Sequence, residues 1–421
     1  TASRSSTCPK GTRRPYPLSK GIPLDSPIDV GLYIHVAFCR KKCYYCDFNT
    51  YAGLDHLVDR YVSALASEIR QLPTRLPGHE LEPRSFTVGS IFLGGGTPSM
   101  LSIQQVADIL DACKAWTVDP RAEVTIEANP DDPTVEYLRA LRELGVNRVS
   151  FGVQSFDDAM LKQLGRRHDA QTARAAYQNA RKAGFGNVSL DLMFALPGQT
   201  LAEWLWTLDE AIALGPDHLS VYNLTIEDGT QFGAWAAKGK LAIPDDDLAA
   251  DMYEATMERL AVNGYRQYEI SNWSRALPDG ETRALHNLRY WRNQPYFGVG
   301  AGAHSSYQGF RYANLRSPAT YIQRVAARES AVDFVEIIQR ELEMAETMIL
   351  GLRLNDGVDA QGFRSRFGEL PEDVYQDLLL ELHGFGLVTR QDNRIQLTHR
   401  GRLVGNDVFY RFLPVGDQLP V

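Results

Sequence analysis

Apolar and polar positions along this chain alternate in two rhythms. GLYIHV (31–36), SIFLGGG (90–96), EVTIEAN (123–129), RVSFGVQ (148–154), NVSLDLMFA (187–195) and HLSVYNLT (218–225) are short apolar runs rich in β-branched and aromatic residues, and they predict strands. Between them the period lengthens. In LDHLVDRYVSALASEIRQL (54–72), Leu54, Leu57, Val58, Tyr61, Val62, Leu65, Ile69 and Leu72 fall on one helical face. Similar spacing predicts helices near 102–116, 133–144, 157–164, 170–184 and 200–214. Strands alternating with amphipathic helices indicate parallel βα units. Six units are too few for an eight-fold barrel, so the expected α/β fold is an open, curved, partial (β/α)6 barrel. Sites in such sheets form at the carboxyl ends of the strands.

From about residue 335 the pattern changes. IIQRELEMAETMILGLRL and LPEDVYQDLLLELHGFG read as helices, LVTRQDNRIQLT as a hairpin, and LTHRGRLVGNDVFYRFL as helix again. Helix, helix and hairpin suggest a smaller winged-helix-like α+β domain. The chain divides into a tail (1–30), the partial barrel (31–230), a barrel extension (231–334) and this C-terminal domain (335–421). The tail carries Arg, Lys, Ser and Pro, with no acid before Asp25 and no apolar stretch of a secretory signal. It reads as flexible or loosely docked, with a trimmed organellar transit segment as the competing reading.

Composition narrows the function. With 421 residues and 44% apolar content the chain can bury a sizeable core. A net charge of −8 speaks against a protein that sheathes nucleic acid, and against DNA binding by the C-terminal domain. No run of 18 apolar residues predicts a transmembrane span, which leaves peripheral membrane association open. Five cysteines in a chain this long are no disulfide scaffold, and a reducing compartment follows. That compartment is the cytoplasm, or an organellar matrix if the tail is a transit remnant.

Three of those cysteines, Cys39, Cys43 and Cys46, crowd into CRKKCYYC. Structural zinc wants four protein ligands, typically two separated pairs, and no second pair follows; His35 sits inside a strand. A [4Fe–4S] cluster held by three thiolates instead leaves one iron open to a small molecule. Cys113, in DILDACKAW, lies on an amphipathic helix and reads as an inert packed thiol; Cys8 receives no role. Other unusual residues stand at the same strand ends: GGGTPS (94–99), EANP (127–130), Gln154, Asp191 and Thr225. Each alone could be a turn or a cap. Together at one end of one sheet they outline a site.

C-x3-C-x2-C after the first strand of a partial barrel, with Tyr45 before the third cysteine, resembles the radical S-adenosylmethionine superfamily. The resemblance implies that the open iron is chelated by the methionine moiety of S-adenosylmethionine. YIHVAFCRKKCYYC, GGGTPS, EANP, SFGVQSF, LGRRH and DLMFALPGQT are further similar to the branch that contains oxygen-independent coproporphyrinogen III oxidase. By that likeness Tyr33, Tyr45, Gly95, Gly96, Thr97, Glu127, Gln154, Arg166, Asp191, Thr225 and Gly302 line the S-adenosylmethionine pocket. Ala37 departs from the branch, where relatives usually carry proline.

Two features choose within the branch. The oxidase has a further cysteine two residues after the third; here that residue is Phe48. ALHNLRYWRN (284–293) resembles the HNxxYW motif of a heme chaperone group. The likeness makes His286, Asn287, Tyr290 and Trp291 a heme-binding segment; read without it, the stretch is an ordinary aromatic core segment with a capping His-Asn pair. Imidazole is a natural axial ligand, and a helix would set His286 and Tyr290 on one face with Trp291 beside them to stack on a porphyrin. YEISNW (268–273) resembles the same group. The implied function is a carrier that binds heme and passes it to respiratory-chain hemoproteins. The alternative is an oxidoreductase that oxidatively decarboxylates coproporphyrinogen III. Radical modification of RNA is a weaker reading, since no basic extension is visible. The acceptor and any oligomer are not legible.

Overall fold

The computed structural model describes residues 27–72, 86–242, 245–277 and 280–414. Residues 1–26, with Cys8, lie outside them. Six parallel strands form the centre: β1 (Ile28–Val36), β2 (Phe86–Gly95), β3 (Thr117–Ala128), β4 (Arg148–Gln154), β5 (Val188–Phe194) and β6 (His218–Asn223). They neighbour one another in chain order. Helices Val58–Gln71, Ile103–Cys113, Val135–Glu143, Asp158–Gln163, Ala170–Lys182 and Leu201–Leu214 connect them. Local chemistry marks the helix starts. Ser102 with Gln105, and Thr200 with Glu203, form capping boxes, and Thr134, Asp157 and Asp169 each accept a backbone N–H of the first turn. Such a cap stabilises by about 1 kcal/mol. The expected helix over 102–116 ends at Cys113 because Trp116 turns inward, 4% exposed, and donates its indole N–H to Ile69 O at 3.0 Å.

The two faces of the central sheet differ in kind. Val30, Leu32, Ile34 and Val36 are at most 1% exposed and pack outward in the main hydrophobic core. The alternate positions face the barrel interior, and register carries that face across the sheet through Ser90, Thr125, Ser150, Asp191 and Ser220. Buried parallel strands ordinarily read as continuous apolar runs. A polar inner face obliges each buried group to find a partner, and here the partners build the site.

Residues 231–334 widen this sheet at both edges. β7 (Tyr265–Glu269), β8 (Asn272–Leu277) and β9 (Gly280–Glu281) add antiparallel strands beyond β6. β10 (Tyr296–Val299) pairs parallel with β1, and β11 (His304–Tyr307), β12 (Phe310–Asn314) and β13 (Val332–Ile337) continue antiparallel to the edge. The partial barrel is thus the middle of a thirteen-stranded sheet.

The C-terminal part packs helices on a second, antiparallel sheet. Its strands are β14 (Val358–Asp359), β15 (Val388–Gln391) and β16 (Arg394–Leu397), in the order β14-β16-β15. Met348, Leu352, Phe363, Leu382, Ile395 and Val408 fill its own core. It is tied to the barrel where Asn355 N–H donates to Tyr268 O at 2.9 Å and Arg366 donates to Asn293 O at 2.8 Å.

Candidate functional site

The chain leaves β1 at Val36 and enters the cysteine loop. Cys39 N–H donates to Tyr51 O at 3.0 Å and Tyr51 N–H to Ala37 O at 2.8 Å, which closes the loop at its base. Lys42 Nζ spans it to Phe48 O at 3.0 Å. Cys39, Cys43 and Cys46 are free, partly exposed thiols. Thr97 Oγ1 donates to Cys39 Sγ at 3.4 Å, and Arg166 Nη1 to Cys43 Sγ at 3.3 Å. Burial pushes the Cys39 and Cys46 thiols up, so iron binding would have to displace their protons. Among the described residues no three His, Cys, Asp or Glu side chains converge as a single metal ion requires. His35 offers no fourth ligand, because its ring nitrogens are bonded to Tyr33 OH at 2.9 Å and Asn49 O at 3.0 Å. Three thiols on one loop, two with donors aimed at sulfur, fit an iron–sulfur cluster and not zinc. Cys113 is buried, donates to Ile109 O at 3.3 Å, and is pushed up to about 12 by burial, as a packed thiol should be.

β2 ends on glycines that touch this loop. Gly96 N–H donates to Val36 O and Thr97 N–H to Phe38 O, both at 2.8 Å. A Cβ on Gly96 would stand 2.4 Å from Phe38 O and 2.6 Å from Val36 O. Gly95 has φ +101°, and its N–H donates to Glu127 Oε2 at 2.9 Å. Two neighbouring strand ends share this left-handed turn without glycine: Gln154 at φ 69° and Ala195 at φ 54°. Such a residue costs on the order of 1–3 kcal/mol and persists only where its surroundings impose it.

Below the loop lie two half-buried acids. Burial pushes Glu127 up to about 7, with the charge of Asp191 adding to it. Asp191 is raised by burial, against the hydroxyls of Ser220 and Ser150, the latter donating to Oδ1 at 3.0 Å. Two desolvated acids with neutral hydrogen-bond partners fit a ligand that carries positive charge, as an amine or sulfonium does. Arg166 binds the surrounding loops together. Its Nη2 donates to Gly152 O at 2.5 Å and also to Asn129 Oδ1. Arg167 pairs with Asp131 at 2.6 Å and Asp132 at 2.8 Å, and Asp132 also accepts from Ser99 Oγ at 3.0 Å. Ser99, Asn129, Asp132 and Ser150 were not among the expected site residues. The first two lie inside the GGGTPS and EANP motifs, which was a usable signal; Ser150 is set by register alone.

The structure therefore gathers Gly95, Gly96, Thr97, Glu127, Gln154, Arg166 and Asp191 at one mouth. Tyr33 sits deeper, bonded to His35. Tyr45 borders the mouth through Arg166 and packs on Phe232, ring centroids 6.4 Å apart. Gly302, at φ +77°, lies against Asn49, whose Nδ2 donates to Ala301 O at 2.9 Å. Thr225 is exposed beyond the end of β6.

The HNxxYW segment lies at the opposite end, on helix Leu285–Trp291. Glu123, low on β3, accepts the N–H groups of Leu285 and His286 at 3.0 Å each. His286 is 2% exposed. Its Nδ1 is bonded to Ser90 Oγ and its Nε2 to Tyr290 OH, both at 2.9 Å, and its ring stacks on Phe92. Arg289 pins the helix to Asp29 at 2.9 Å. His286 and Tyr290 do share a face, but that face is turned into the barrel. Trp291 points elsewhere, its ring 4.4 Å from the Arg353 guanidinium. Asn287 is half-buried between them. The face that the spacing sets on one side of the helix is turned into the barrel, where the His286 ring has partners on both nitrogens and stacks on Phe92. Burial holds His286 down to about 3. Its contribution to stability is complete above the unfolded value near 6.5 and is lost as pH falls from there toward 3. We expect His286→Gln to flatten the stability–pH curve between pH 6.5 and 4.5 by up to about 1.4 kcal/mol per pH unit. Parallel curves from denaturant titrations would show that His286 does not sense protons.

Known proteins can now be set beside this geometry. Residues 33–211 match the Radical SAM superfamily and residues 338–404 the HemN C-terminal domain. The heme chaperone HemW of Bacillus subtilis (strain 168) is 38% identical over 384 residues, 90% of this chain and 98% of that one. The chain belongs to the HemW family of radical SAM proteins. A HemW of Escherichia coli (strain K12) is 36% identical, covering 91% of this chain and 98% of its own. The mouse mitochondrial radical S-adenosyl methionine domain-containing protein 1 is 39% identical over 78% of this chain and 74% of its own. The Escherichia coli coproporphyrinogen III oxidase HemN, a radical SAM enzyme, superposes with a TM-score of 0.77 at 25% identity, covering 92% of this chain and 90% of that one. The HemW family thus shares its architecture with an oxidase, and the branch expected from the motifs stands. Among the described residues no helix is long and apolar enough to cross a membrane.

Proposed function

We propose that this chain is a heme carrier that holds a [4Fe–4S] cluster on Cys39, Cys43 and Cys46. S-adenosylmethionine would take the open iron and the mouth above Glu127 and Asp191. The observation that carries the reading is near-full-length similarity to chains named heme chaperone HemW. Phe48, where the oxidase has a further cysteine, supports it.

In this reading the protein's own residues bind and orient. Gly96 and Thr97 bring the second strand end against the cysteine loop. Glu127 and Asp191 meet the cationic part of the ligand, and Arg166 stands by for its carboxylate once Asn129 yields. A bound cluster supplies electron transfer to the ligand on its open iron. The delivery partners would be hemoproteins of the respiratory chain, reached at the membrane surface from the cytoplasm or an organellar matrix.

The test is anaerobic incubation of the reconstituted protein with coproporphyrinogen III and S-adenosylmethionine, beside a hemin titration. The expected result is stoichiometric heme binding and no protoporphyrinogen. Protoporphyrinogen formation would replace the carrier with the oxidase.

A further inference from the structure

Helix Val58–Gln71 turns its apolar face to the sheet, and Glu68 stands beside that face, seven residues after Tyr61. An acid in that position needs partners, because a desolvated carboxylate without them is costly. Glu68 is half-buried and has three partners, all of them donors. Its Oε2 accepts Gly300 N–H at 2.9 Å and also the hydroxyl of Tyr321, on helix Pro318–Ala326. Its Oε1 accepts Asn314 Nδ2 at 2.7 Å. The titratable groups that bear on it are the phenols of Tyr61, Tyr312 and Tyr321, and none is a cation.

What Glu68 grips is the support of the cysteine loop. Gly300 opens the turn 300–303, where Ala303 N–H donates back to Gly300 O at 3.1 Å. The end of β12 closes on it: Asn314 N–H donates to Ala303 O and Gly302 N–H to Leu315 O, both at 2.9 Å. The exit of the cysteine loop hangs from these two segments. Asn49 Nδ2 donates to Ala301 O at 2.9 Å and to Arg316 O at 3.0 Å, and Tyr51 OH donates to Arg316 O at 3.1 Å. Tyr51 O in turn accepts the N–H of Cys39 at 3.0 Å.

Tyr61 makes a second link from the same helix. Its hydroxyl accepts Ala301 N–H and donates to His35 O, each at 2.8 Å. Its ring meets Phe38, the residue before Cys39, edge-on with centroids 4.9 Å apart. Glycine lets these parts close up. A Cβ on Gly300 would stand 2.6 Å from His35 O, and one on Gly302 would stand 2.5 Å from Asn49 Nδ2.

Resting on the cluster of the proposed function, we propose that Glu68 is a positioning residue for it: the ionised carboxylate fixes the 300–303 turn and Asn314, and through Asn49 and Tyr51 it keeps the three thiols in place to hold iron. Protonated, the carboxyl must turn one oxygen from acceptor to donor, and its hold on Gly300 or Asn314 weakens. Burial pushes Glu68 up to about 7. The loop is therefore gripped firmly above that pH and loosely below it.

The experiment follows iron release to a chelator from the full chain with the cluster reconstituted, at about pH 6 and about pH 8. The variants are Glu68→Gln, Tyr321→Phe and Ile69→Val. At about pH 8, Glu68→Gln should release iron about tenfold faster than wild type, the worth of one hydrogen bond to a charged group. At about pH 6 the two rates should converge, because wild-type Glu68 is then itself protonated. Tyr321→Phe removes one donor to the ionised form, so its rate should approach that of Glu68→Gln at a higher pH than wild type does. Ile69→Val thins the core on the same helix without touching the network, and should keep the wild-type rate at both pH values. A Glu68→Gln rate equal to wild type at about pH 8, or an acceleration that is the same at both pH values or shared by Ile69→Val, overturns the assignment and leaves the cluster reading intact. A wild-type chain that holds no iron removes both.

Discussion

Cys43→Ala should yield protein that folds but holds no reconstituted cluster, as measured by iron and sulfide per chain. Cys39→Ala and Cys46→Ala should do the same, while Cys113→Ala keeps full stoichiometry. The expected loss is complete because each thiolate holds one iron and no neighbour can replace it. His35, on the strand that leads into the loop, has both nitrogens committed, and no other His, Cys, Asp or Glu group completes a site among the described residues. The fold should survive because all three thiols are partly exposed and lie on a loop held by backbone bonds at its base. Cys113 is the informative control. It is buried on a helix, so its loss costs packing and leaves the cluster alone. Full iron content in Cys43→Ala would break the ligand assignment.

Gly96→Val should abolish S-adenosylmethionine binding and loosen the cluster as well. The added Cβ meets the carbonyl oxygens of Phe38 and Val36 at 2.4 and 2.6 Å. Both are backbone and cannot rotate away, and both lead directly into Cys39. The strand end and the cysteine loop must then part, which breaks the bonds from Gly96 and Thr97 N–H. From the motif alone one would expect only the ligand to be excluded, with the cluster untouched. The structure makes the glycine a joint between the two. We expect more than a tenfold loss of ligand affinity, about 1.4 kcal/mol or above, together with faster loss of iron to a chelator. Gly186→Ala, where a Cβ meets nothing within 4 Å, should change neither. Calorimetry and chelator kinetics on the two variants decide the matter. Unchanged iron release in Gly96→Val would show that the glycines serve the ligand alone.

The sequence by itself determined the repeating βα core, the thiol loop and the strand-end residues. Those features are local. A strand's period, a cap such as Ser102 or Thr200, and three cysteines within eight positions are each set by neighbours along the chain. Tertiary structure decided everything that depends on distant pairing. β10 lies beside β1 although some 260 positions separate them, and YFGV and HSSY are too short to announce that pairing. The same holds for His286. Its spacing to Tyr290 correctly put the two on one helical face, but spacing cannot say which way that face turns. Ser90, Phe92 and Glu123, on two other strands, turn it inward. A buried imidazole needs a partner on each nitrogen, and those partners come together only once the sheet has formed.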